Sequence, residues 1–480
     1  MNLLPSSRRR RARVQCPAAA QGFTLVELMI SMVMSLLILA ALVSMFVNTS
    51  SSNREMERMN GLLENGRFTT QLLQQELVHA GYWGGYLPEF DDLSSTVAPA
   101  DAPSGIPDIC QAYNTWNSAY RSELLGIPVQ SADVLPAGPG CLAPLSQKAG
   151  TDVLIIRHAD TCVPGTANCE PDTAGRLYLQ SSLCGAEDNA GTAQGAMSNT
   201  LTLGSSASAV DNIYTGLTLR TVAGTGAGQV NSIIAYNGGT KVATMSSPWA
   251  FIPDSTTTYA FEYVLGTGAF PLHKRDCVGT GAPATLPITG GTIADKRLFV
   301  SDLYYVHDFP HPDRPGETIP TLVRSRLDLV GGTLAQEAPV ELIAGVEGFR
   351  VELGIDNRSD TGTATDYTDA IAWADPDTKT SPTNRGDGAP DEFVRCTTAT
   401  PCTSTQLTDV VAVKLYVLAR SRDKTPGHVD DRSYCLGEYD AAGTCPAANT
   451  IGAANDGYRR HVFATSVRLN NVSGRRETPP

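Results

Sequence analysis

One acidic side chain lies inside a long apolar run near the start of the chain. Residues 23–47 read FTLVELMISMVMSLLILAALVSMFV, and Glu27 is the single charged residue among them. A carboxylate is expensive in apolar surroundings unless it finds a partner. Glu27 is therefore predicted either to meet a positive group or, in a plainer interpretation, to lie solvated at a membrane interface.

The bond between Gly22 and Phe23 is a candidate cleavage site because of its position. Residues 1–22 contain five arginines, no acid and no long apolar stretch, and the apolar run starts only after them. An ordinary secretory signal has its apolar region before the cleavage site, whereas here the order is reversed. A cut at this bond would remove the basic leader and keep the apolar segment.

Cysteine content indicates an oxidising compartment. The chain has 11 Cys, of which Cys16 lies in the leader, and an even number in the remaining body suits disulfides formed outside the cytoplasm. No C-x-x-C pair is present, so neither a structural zinc site nor a redox motif is indicated. Three pairs close in sequence are predicted to form disulfides: Cys162 with Cys169, Cys396 with Cys402, and Cys435 with Cys445. Cys110 and Cys141 are predicted to tie down the loop-rich segment in which they lie. The other two disulfide candidates are Cys184 and Cys277.

Other patterns that could carry chemistry are weak. The sequence has no G-x-x-x-x-G-K-[ST], H-E-x-x-H or G-x-S-x-G motif, so neither an enzyme nor a cofactor is predicted. His158, Asp160 and the HDFPHPD string at 307–313 bring possible metal ligands together, but their Pro content and short spacing favour exposed loops. The Asp-rich loop 375–392 leaves calcium binding open although it lacks the EF-hand spacing. The Arg-Gly-Asp tripeptide at 385–387 is assigned no function.

Length and charge describe an acidic globular body. The formal net charge is −13, and removal of the five leader arginines leaves −18. Such a body argues against direct nucleic-acid binding as the main task. With 480 residues, 44 Gly and 30 Pro, we expect insertions or more than one domain, with many turns and short strands.

The apolar run is long enough to form a transmembrane helix. At about 1.5 Å per residue, it spans a hydrocarbon core of roughly 30 Å. The basic residues before it predict that this end stays cytoplasmic and that the body is exported.

Beyond the apolar run, the helix is predicted to continue to about Ala80 as an amphipathic stem. Apolar residues recur at three- and four-residue steps and are expected to pack on the protein's own sheet. Gly61 and Gly66 are expected to weaken the stem at bends or by local melting, and Gly81 is a natural stop.

The rest of the chain predicts a β-rich body of α+β class. Residues 82–150 have the composition of a long loop-rich connection, and long strands are predicted at 298–306, 321–330, 346–355, 409–420 and 459–469. Shorter strands are predicted at 151–158, 176–180, 200–203, 217–222, 230–236, 241–245 and 258–264. The predicted order is a leader (1–22), a transmembrane and stem helix (23–80), the loop-rich start of the body (81–198), a β-rich insertion (199–264) and a C-terminal sheet (265–480). The long helix would pack on an antiparallel sheet.

The string GFTLVELMIS around Glu27 resembles the type IV pilin signature. The resemblance implies that prepilin peptidase cuts after Gly22 and that the new N-terminus, Phe23, is methylated. It also implies that Glu27, at the fifth position of the mature chain, meets the positively charged N-terminus of a neighbouring subunit. Pairing two such charges in an apolar filament core would fix the register between subunits.

Further strings resemble the PilW family of minor pilins and extend over nearly the whole chain, although the β-rich insertion in the middle is not covered. They are LLENGRFTTQLLQQELVHAGYWGG (62–85), TDVLIIRHAD (151–160), LIAGVEGFRVELGID (342–356), DVVAVKLYVLARS (409–421) and YRRHVFATSVRLNN (458–471). The sequence departs from the pattern at Tyr86, where many relatives carry a Cys, which leaves room for a different disulfide arrangement near the stem.

This second resemblance implies a pilin-like fold and an accessory subunit that primes assembly of a type IV pilus near its tip. The implied partners are prepilin peptidase, the major pilin, other minor pilins, a PilY-type tip adhesin and, through residues 23–47, the bacterial inner membrane. The body would lie in the periplasm before assembly and at the cell surface afterwards, in the service of twitching motility and adhesion. Two alternatives remain open: a J-type pseudopilin of a type II secretion system, and a pilus-borne adhesin that acts through residues 199–264.

Overall fold

The structure is a computed structural model. It describes residues 24–93, 98–99, 101–141, 146–181, 191–205, 207, 209, 211–212, 214–215, 217–268, 270, 272, 293–440 and 442–477. Gly22, Phe23, Cys184 and Cys277 lie outside the described residues. The chain divides into two compact units, Met1–Arg58 and Met59–Pro480.

A 55-residue helix, α1, opens the described chain and runs from Leu25 to His79. Its end agrees with the predicted end near Ala80, and Gly81 follows with φ +73°, a conformation that terminates helices. The other α-helices are α2 (Ser118–Gly126), α3 (Ser404–Thr408) and α4 (Asn470–Arg476). Short 3₁₀ helices occupy Glu89–Asp91, Tyr113–Thr115 and Ala447–Asn449.

Most of the regular secondary structure of the body is β-strand, and the predicted strands are confirmed within a few residues at each end. The first ten are β1 (Val129–Ala132), β2 (Val153–Ala159), β3 (Tyr178–Ser181), β4 (Gly191–Thr192), β5 (Gly195–Met197), β6 (Thr200–Thr202), β7 (Leu217–Ala223), β8 (Val230–Asn237), β9 (Val242–Met245) and β10 (Thr258–Gly266). The next six are β11 (Arg297–Pro310), β12 (Thr318–Val330), β13 (Thr333–Gln336), β14 (Val340–Ala344), β15 (Val346–Ile355) and β16 (Trp373–Asp375). The last six are β17 (Thr380–Pro382), β18 (Glu392–Val394), β19 (Val410–Arg420), β20 (Tyr434–Cys435), β21 (Thr450–Ile451) and β22 (Arg460–Arg468).

Two sheets of very different size contain most of these strands. The larger has 14 strands in the order β1-β2-β11-β3-β10-β7-β8-β9-β6-β5, with β12 paired to β11, β13 and β14 paired to β12, and β4 paired to β10. The smaller has the order β18-β15-β19-β22. The ladders between these strands are antiparallel, which together with α1 confirms the α+β class.

The main core joins the stem part of α1 to both sheets. Leu73 and Leu77 are fully buried and cluster with apolar residues of β2 and β11 in the larger sheet and of β15 and β19 in the smaller. The predicted packing of the stem stripe on the protein's own sheet is thus confirmed for the part of α1 within the second unit.

The strands within residues 191–266 continue the large sheet and also enclose a core of their own. β10 pairs with both β3 and β7, so hydrogen bonds join this region to the rest of the sheet. A separate cluster fills its interior, including Tyr214, Trp249 and Phe261. We call residues 191–272 the β-rich lobe. Toward the chain's start, residues 82–150 contain α2 and β1 in addition to loops.

Candidate assembly site

The first half of α1 exposes an apolar surface directly after the predicted cleavage site. Large side chains from Leu25 to Val47 are exposed, and by length and composition this segment can cross a membrane. Apolar surface of this extent is stable against lipid or against other apolar helices. Gly22 and Phe23 themselves lie outside the described residues, so the scissile bond has no described geometry.

Glu27 caps the first turn of α1. Its Oε2 accepts hydrogen bonds from the backbone N–H of Thr24 at 3.1 Å and from the Thr24 hydroxyl at 3.0 Å. In return, the Thr24 hydroxyl accepts from the backbone N–H of Glu27 at 3.3 Å. This reciprocal capping box satisfies N–H groups that a helix leaves free at its start. The carboxylate remains exposed, so it can accept a further donor; the T-x-x-E spacing of residues 24–27 is the signal for a cap that the sequence reasoning missed.

The stem docks on the body through two adjacent residues of the ENGRF string. The Asn65 side chain donates from Nδ2 to the carbonyl of Ala344, at the end of β14, over 2.9 Å. Gly66 lies against Phe463 of β22, so close that an added Cβ would be 2.5 Å from the ring Cζ and nearer still to Cε2 and Cδ2. Only glycine lets the helix approach the strand this closely.

The local melting expected at Gly61 and Gly66 does not occur. α1 is helical through both positions. A Cβ at Gly61 would meet nothing within 4 Å, whereas one at Gly66 would clash with Phe463. Helix propensity is a weak local preference, and here packing of the helix on the body overrides it.

The last described residues of the chain clamp the end of the stem. Asn471 in α4 donates from Nδ2 to the carbonyls of Val78, at 2.9 Å, and Ala80, at 3.2 Å. Arg475 donates to the carbonyl of Gly81. Carbonyls at a helix C-terminus have no partner within the helix, so these side chains supply the missing donors.

Arg476 extends this clamp into the interior. Its guanidinium is buried and bonds three carboxylates: Asp91 at 3.1 Å, Asp356 at 3.4 Å and Asp409 at 3.0 Å. Burial raises the pKa of Asp356 to about 6, against the lowering effect of Arg476. Three carboxylates converge on one guanidinium, so removal of Arg476 would leave buried charges without their partner.

Four disulfides lie within the described residues. They join Cys110 to Cys141, Cys162 to Cys169, Cys396 to Cys402, and Cys435 to Cys445. These are the pairs named above from sequence. Tyr86, which stands where many relatives carry a Cys, packs its ring on Tyr263 with centroids 4.9 Å apart.

The histidine and aspartate strings take positions that differ from the expected loops. His158 lies buried in β2, where desolvation lowers its pKa, and His307 lies in β11, so the expectation of exposed loops is wrong for both. β2 is buried along its whole length and β11 along most of its length, so both strands are covered on both faces and hold these histidines inside the sheet. Across the part of the chain that the structure describes, no group of three or more His, Cys, Asp or Glu is placed to hold a metal ion.

The Arg-Gly-Asp tripeptide is part of the body's internal structure. Arg385 is only 3% exposed and donates to the carbonyls of Asp366 and Asp369. Its guanidinium also stacks on the ring of Tyr367. A buried arginine of this kind cannot present itself to a receptor.

Comparison with known proteins gives two family matches. Residues 303–471 match the family described as "Type IV Pilus-assembly protein W", and residues 18–43 match the "Prokaryotic N-terminal methylation motif". Among solved structures, the chain is similar to a type IV-like pilin from Thermus thermophilus, with 18% identity over 36% of this chain and 79% of that chain and a TM-score of 0.17. No curated protein matches. The family matches confirm the two resemblances seen in the sequence: a prepilin motif stands before a PilW-type segment.

Proposed function

We propose that this chain, a PilW-family segment behind a prepilin methylation motif, is a minor pilin that takes part in initiation and assembly of a type IV pilus near its tip. One observation carries the proposal. The helix that begins at the prepilin motif continues into a stem whose Gly66 packs on Phe463, and Phe463 lies inside the matched segment. The filament-forming helix and the family-specific body are thus built as partners within one chain.

The N-terminal residues have distinct tasks in this proposal. Prepilin peptidase cuts after Gly22, Phe23 becomes the methylated N-terminus, and Glu27 meets the N-terminal amine of a neighbouring subunit. The capping box supports the last point, because it holds the exposed carboxylate in a fixed place at the start of the helix. Before assembly, residues 23–47 anchor the chain in the inner membrane with the disulfide-bonded body in the periplasm.

The proposed partners are other minor pilins, the major pilin and a PilY-type tip adhesin, in the service of twitching motility and adhesion. The role is structural and not catalytic, in keeping with the family's description as an assembly protein.

Deletion of the gene followed by complementation tests the proposal. We expect loss or sharp reduction of surface pili, measured by electron microscopy and by assay of sheared filaments, with restoration by the wild-type gene. A Gly22→Val variant should accumulate as an uncleaved precursor and fail to restore pili, while Gly61→Ala, a change on the open side of the stem, should restore them. Normal piliation in the deletion strain would refute the proposal.

The J-type pseudopilin alternative predicts a different phenotype in the same strain. Loss of exoprotein secretion with normal pili would favour the pseudopilin over the minor pilin. The matched family is described by pilus assembly, which favours the pilus.

A role of the β-rich lobe as an adhesin is favoured by a specific observation, the separate core of that lobe. Deletion of residues 199–264 would remove β10, which pairs with β3 of the main sheet, so point substitutions on the lobe's surface are the sharper test.

A further inference from the structure

One loop of the β-rich lobe presents large apolar side chains to solvent. In the sequence PWAFIP (248–253), Trp249 and Pro253 are buried, whereas Ala250, Phe251 and Ile252 point outward. Phe251 is 71% exposed and Ile252 is 51% exposed. We call Ala250, Phe251 and Ile252 the apolar tip. Exposed apolar side chains that lie next to one another form a contiguous patch, the kind of surface at which proteins meet partners or membranes when the patch is large.

The tip is held by hydrogen bonds that use the backbone of its central residue. The Gln229 side chain accepts from the N–H of Phe251 at 3.0 Å and donates to the C=O of Phe251 at 2.7 Å. Gln229 also donates to Gly226, where a Cβ would be 2.8 Å from the Phe251 carbonyl oxygen. Both polar backbone groups of Phe251 are therefore satisfied inside the protein.

Each flank of the tip is fixed as well. On one side, the Trp249 indole donates to the carbonyl of Thr200 at 3.1 Å, and the Trp249 backbone N–H donates to Ser198 at 2.7 Å. On the other, Asp254 accepts from Thr225 at 2.8 Å and from the Thr256 hydroxyl at 2.6 Å. A loop that is ordered before it binds loses little conformational entropy when it does bind.

These features fit an apolar medium better than a protein pocket. Protein interfaces combine an apolar centre with about one hydrogen bond per 100–200 Å². At the tip, however, Gln229 already takes both backbone groups of Phe251, and the side chains of Ala250, Phe251 and Ile252 carry no polar atom. Backbone groups that are satisfied internally are the condition for entering hydrocarbon, and Phe251, the most exposed residue of the tip, meets that condition.

The segment around the apolar tip carries little charge. Residues 246–257 contain one acid, Asp254, and no base. Hydrogen bonds from Thr256 and Thr225 lower the pKa of Asp254, so it stays ionised. Nothing in this segment attracts an anionic membrane.

We propose that the apolar tip of the β-rich lobe inserts into the surface of a neutral phospholipid bilayer, with Phe251 and Ile252 as the inserted side chains. This role goes beyond assembly of the pilus: it gives the lobe a ligand, a lipid surface, that does not depend on whether the chain is a pilin.

Binding to phosphatidylcholine vesicles tests the proposal. The full chain is held in amphipol, which covers the anchor helix, and its co-sedimentation with vesicles is measured as a function of lipid concentration. We expect the apparent affinity to fall roughly tenfold for Phe251→Ser and again for Ile252→Ser, since each side chain loses the transfer free energy of a buried apolar group. The matched control is Val429→Ser, which removes an apolar side chain that is 61% exposed outside the lobe and should leave binding unchanged.

A third variant separates insertion from general stickiness. Gln229→Ala keeps every apolar side chain of the tip but frees the backbone of Phe251, so it should also weaken binding. Binding should be insensitive to salt and should not increase with phosphatidylglycerol. Equal binding by wild type and the Phe251→Ser/Ile252→Ser double variant, or binding only to anionic vesicles, would overturn the proposal. Surface piliation of the same variants is scored separately, so failure of lipid binding and failure of the assembly role are distinguishable.

Discussion

The contact between Gly66 and Phe463 makes opposite predictions for two glycines of one helix. Gly61→Ala should stabilise the protein by about 1 kcal/mol, because alanine is the better helix former and the added methyl meets nothing within 4 Å. Gly66→Ala gains the same propensity but puts a Cβ within 2.5 Å of the Phe463 ring. Ordinary carbon contacts are about 3.5–4.0 Å, so the ring must move by more than an ångström.

The cost of moving the Phe463 ring determines how far Gly66→Ala lowers the free energy of unfolding. Phe463 is half-buried, and displacing its ring or overpacking the site costs about 1–3 kcal/mol, which exceeds the gain in propensity. We therefore expect Gly66→Ala to be destabilised by about 1 kcal/mol net and to lie about 2 kcal/mol below Gly61→Ala.

Thermal unfolding of the full chain in detergent, followed by near-ultraviolet circular dichroism, measures the difference. At roughly 2 °C per kcal/mol for a body of this size, the two variants should differ in Tm by about 4 °C. The clash also predicts coupling: Phe463→Ala should remove most of the penalty of Gly66→Ala, with a coupling energy of about 1 kcal/mol or more. If Gly66→Ala is as stable as Gly61→Ala, or if the Gly66 and Phe463 costs simply add, the docking argument is wrong.

Three further outcomes are expected. Burial raises the pKa of Asp356 to about 6 from its usual 3.8, so the folded state binds this proton more tightly than the unfolded state does. The stability that this proton contributes is therefore lost as pH rises from about 4 to 6. Asp356→Asn should remove up to about 3 kcal/mol of that pH dependence, seen as a flatter plot of Tm against pH. Asn471→Ala should cost about 1–2 kcal/mol of unfolding free energy in denaturant titration, while its exposed neighbour control Asn470→Ala should change it by less than about 0.5 kcal/mol. Arg385→Ala should lower the Tm in the same circular dichroism assay, because it removes a buried side chain that bonds the carbonyls of the body. The internal role of the tripeptide would be contradicted by a cell-attachment assay in which Asp387→Glu abolished integrin binding.

Local patterns in the sequence predicted the elements but not their partners. β11, β15, β19 and β22 follow from long runs of β-branched and aromatic residues, and α1 follows from its apolar stripe. Pairing is a different matter, because it depends on residues far apart in the chain. Arg395, for example, donates from Nε and Nη2 to the Asp152 carboxylate, at 2.8 and 2.6 Å, across 243 residues of sequence.

The assembly site shows the same division. Glu27 and the candidate cleavage bond can be named from sequence because their signals lie within a few residues of each other. Gly66 was misjudged because its meaning depends on Phe463, almost the whole body away in sequence, while its local signal is that of a helix breaker. The carboxylate cluster around Arg476 was missed for a similar reason, since Asp91, Asp356 and Asp409 have no common spacing.

The stem is fastened to the body at two levels. At one level Asn65 bonds Ala344 and Gly66 packs on Phe463; at the other, Asn471 bonds the carbonyls of Val78 and Ala80. Between these levels, buried Leu73 and Leu77 fill the core. A load applied along the helix is thus shared by the hydrogen bonds at both levels and by the apolar packing between the two levels. No single contact carries it. α4 lies at the end of the described chain and supplies the second fastening, so that fastening is present only when this last helix has folded.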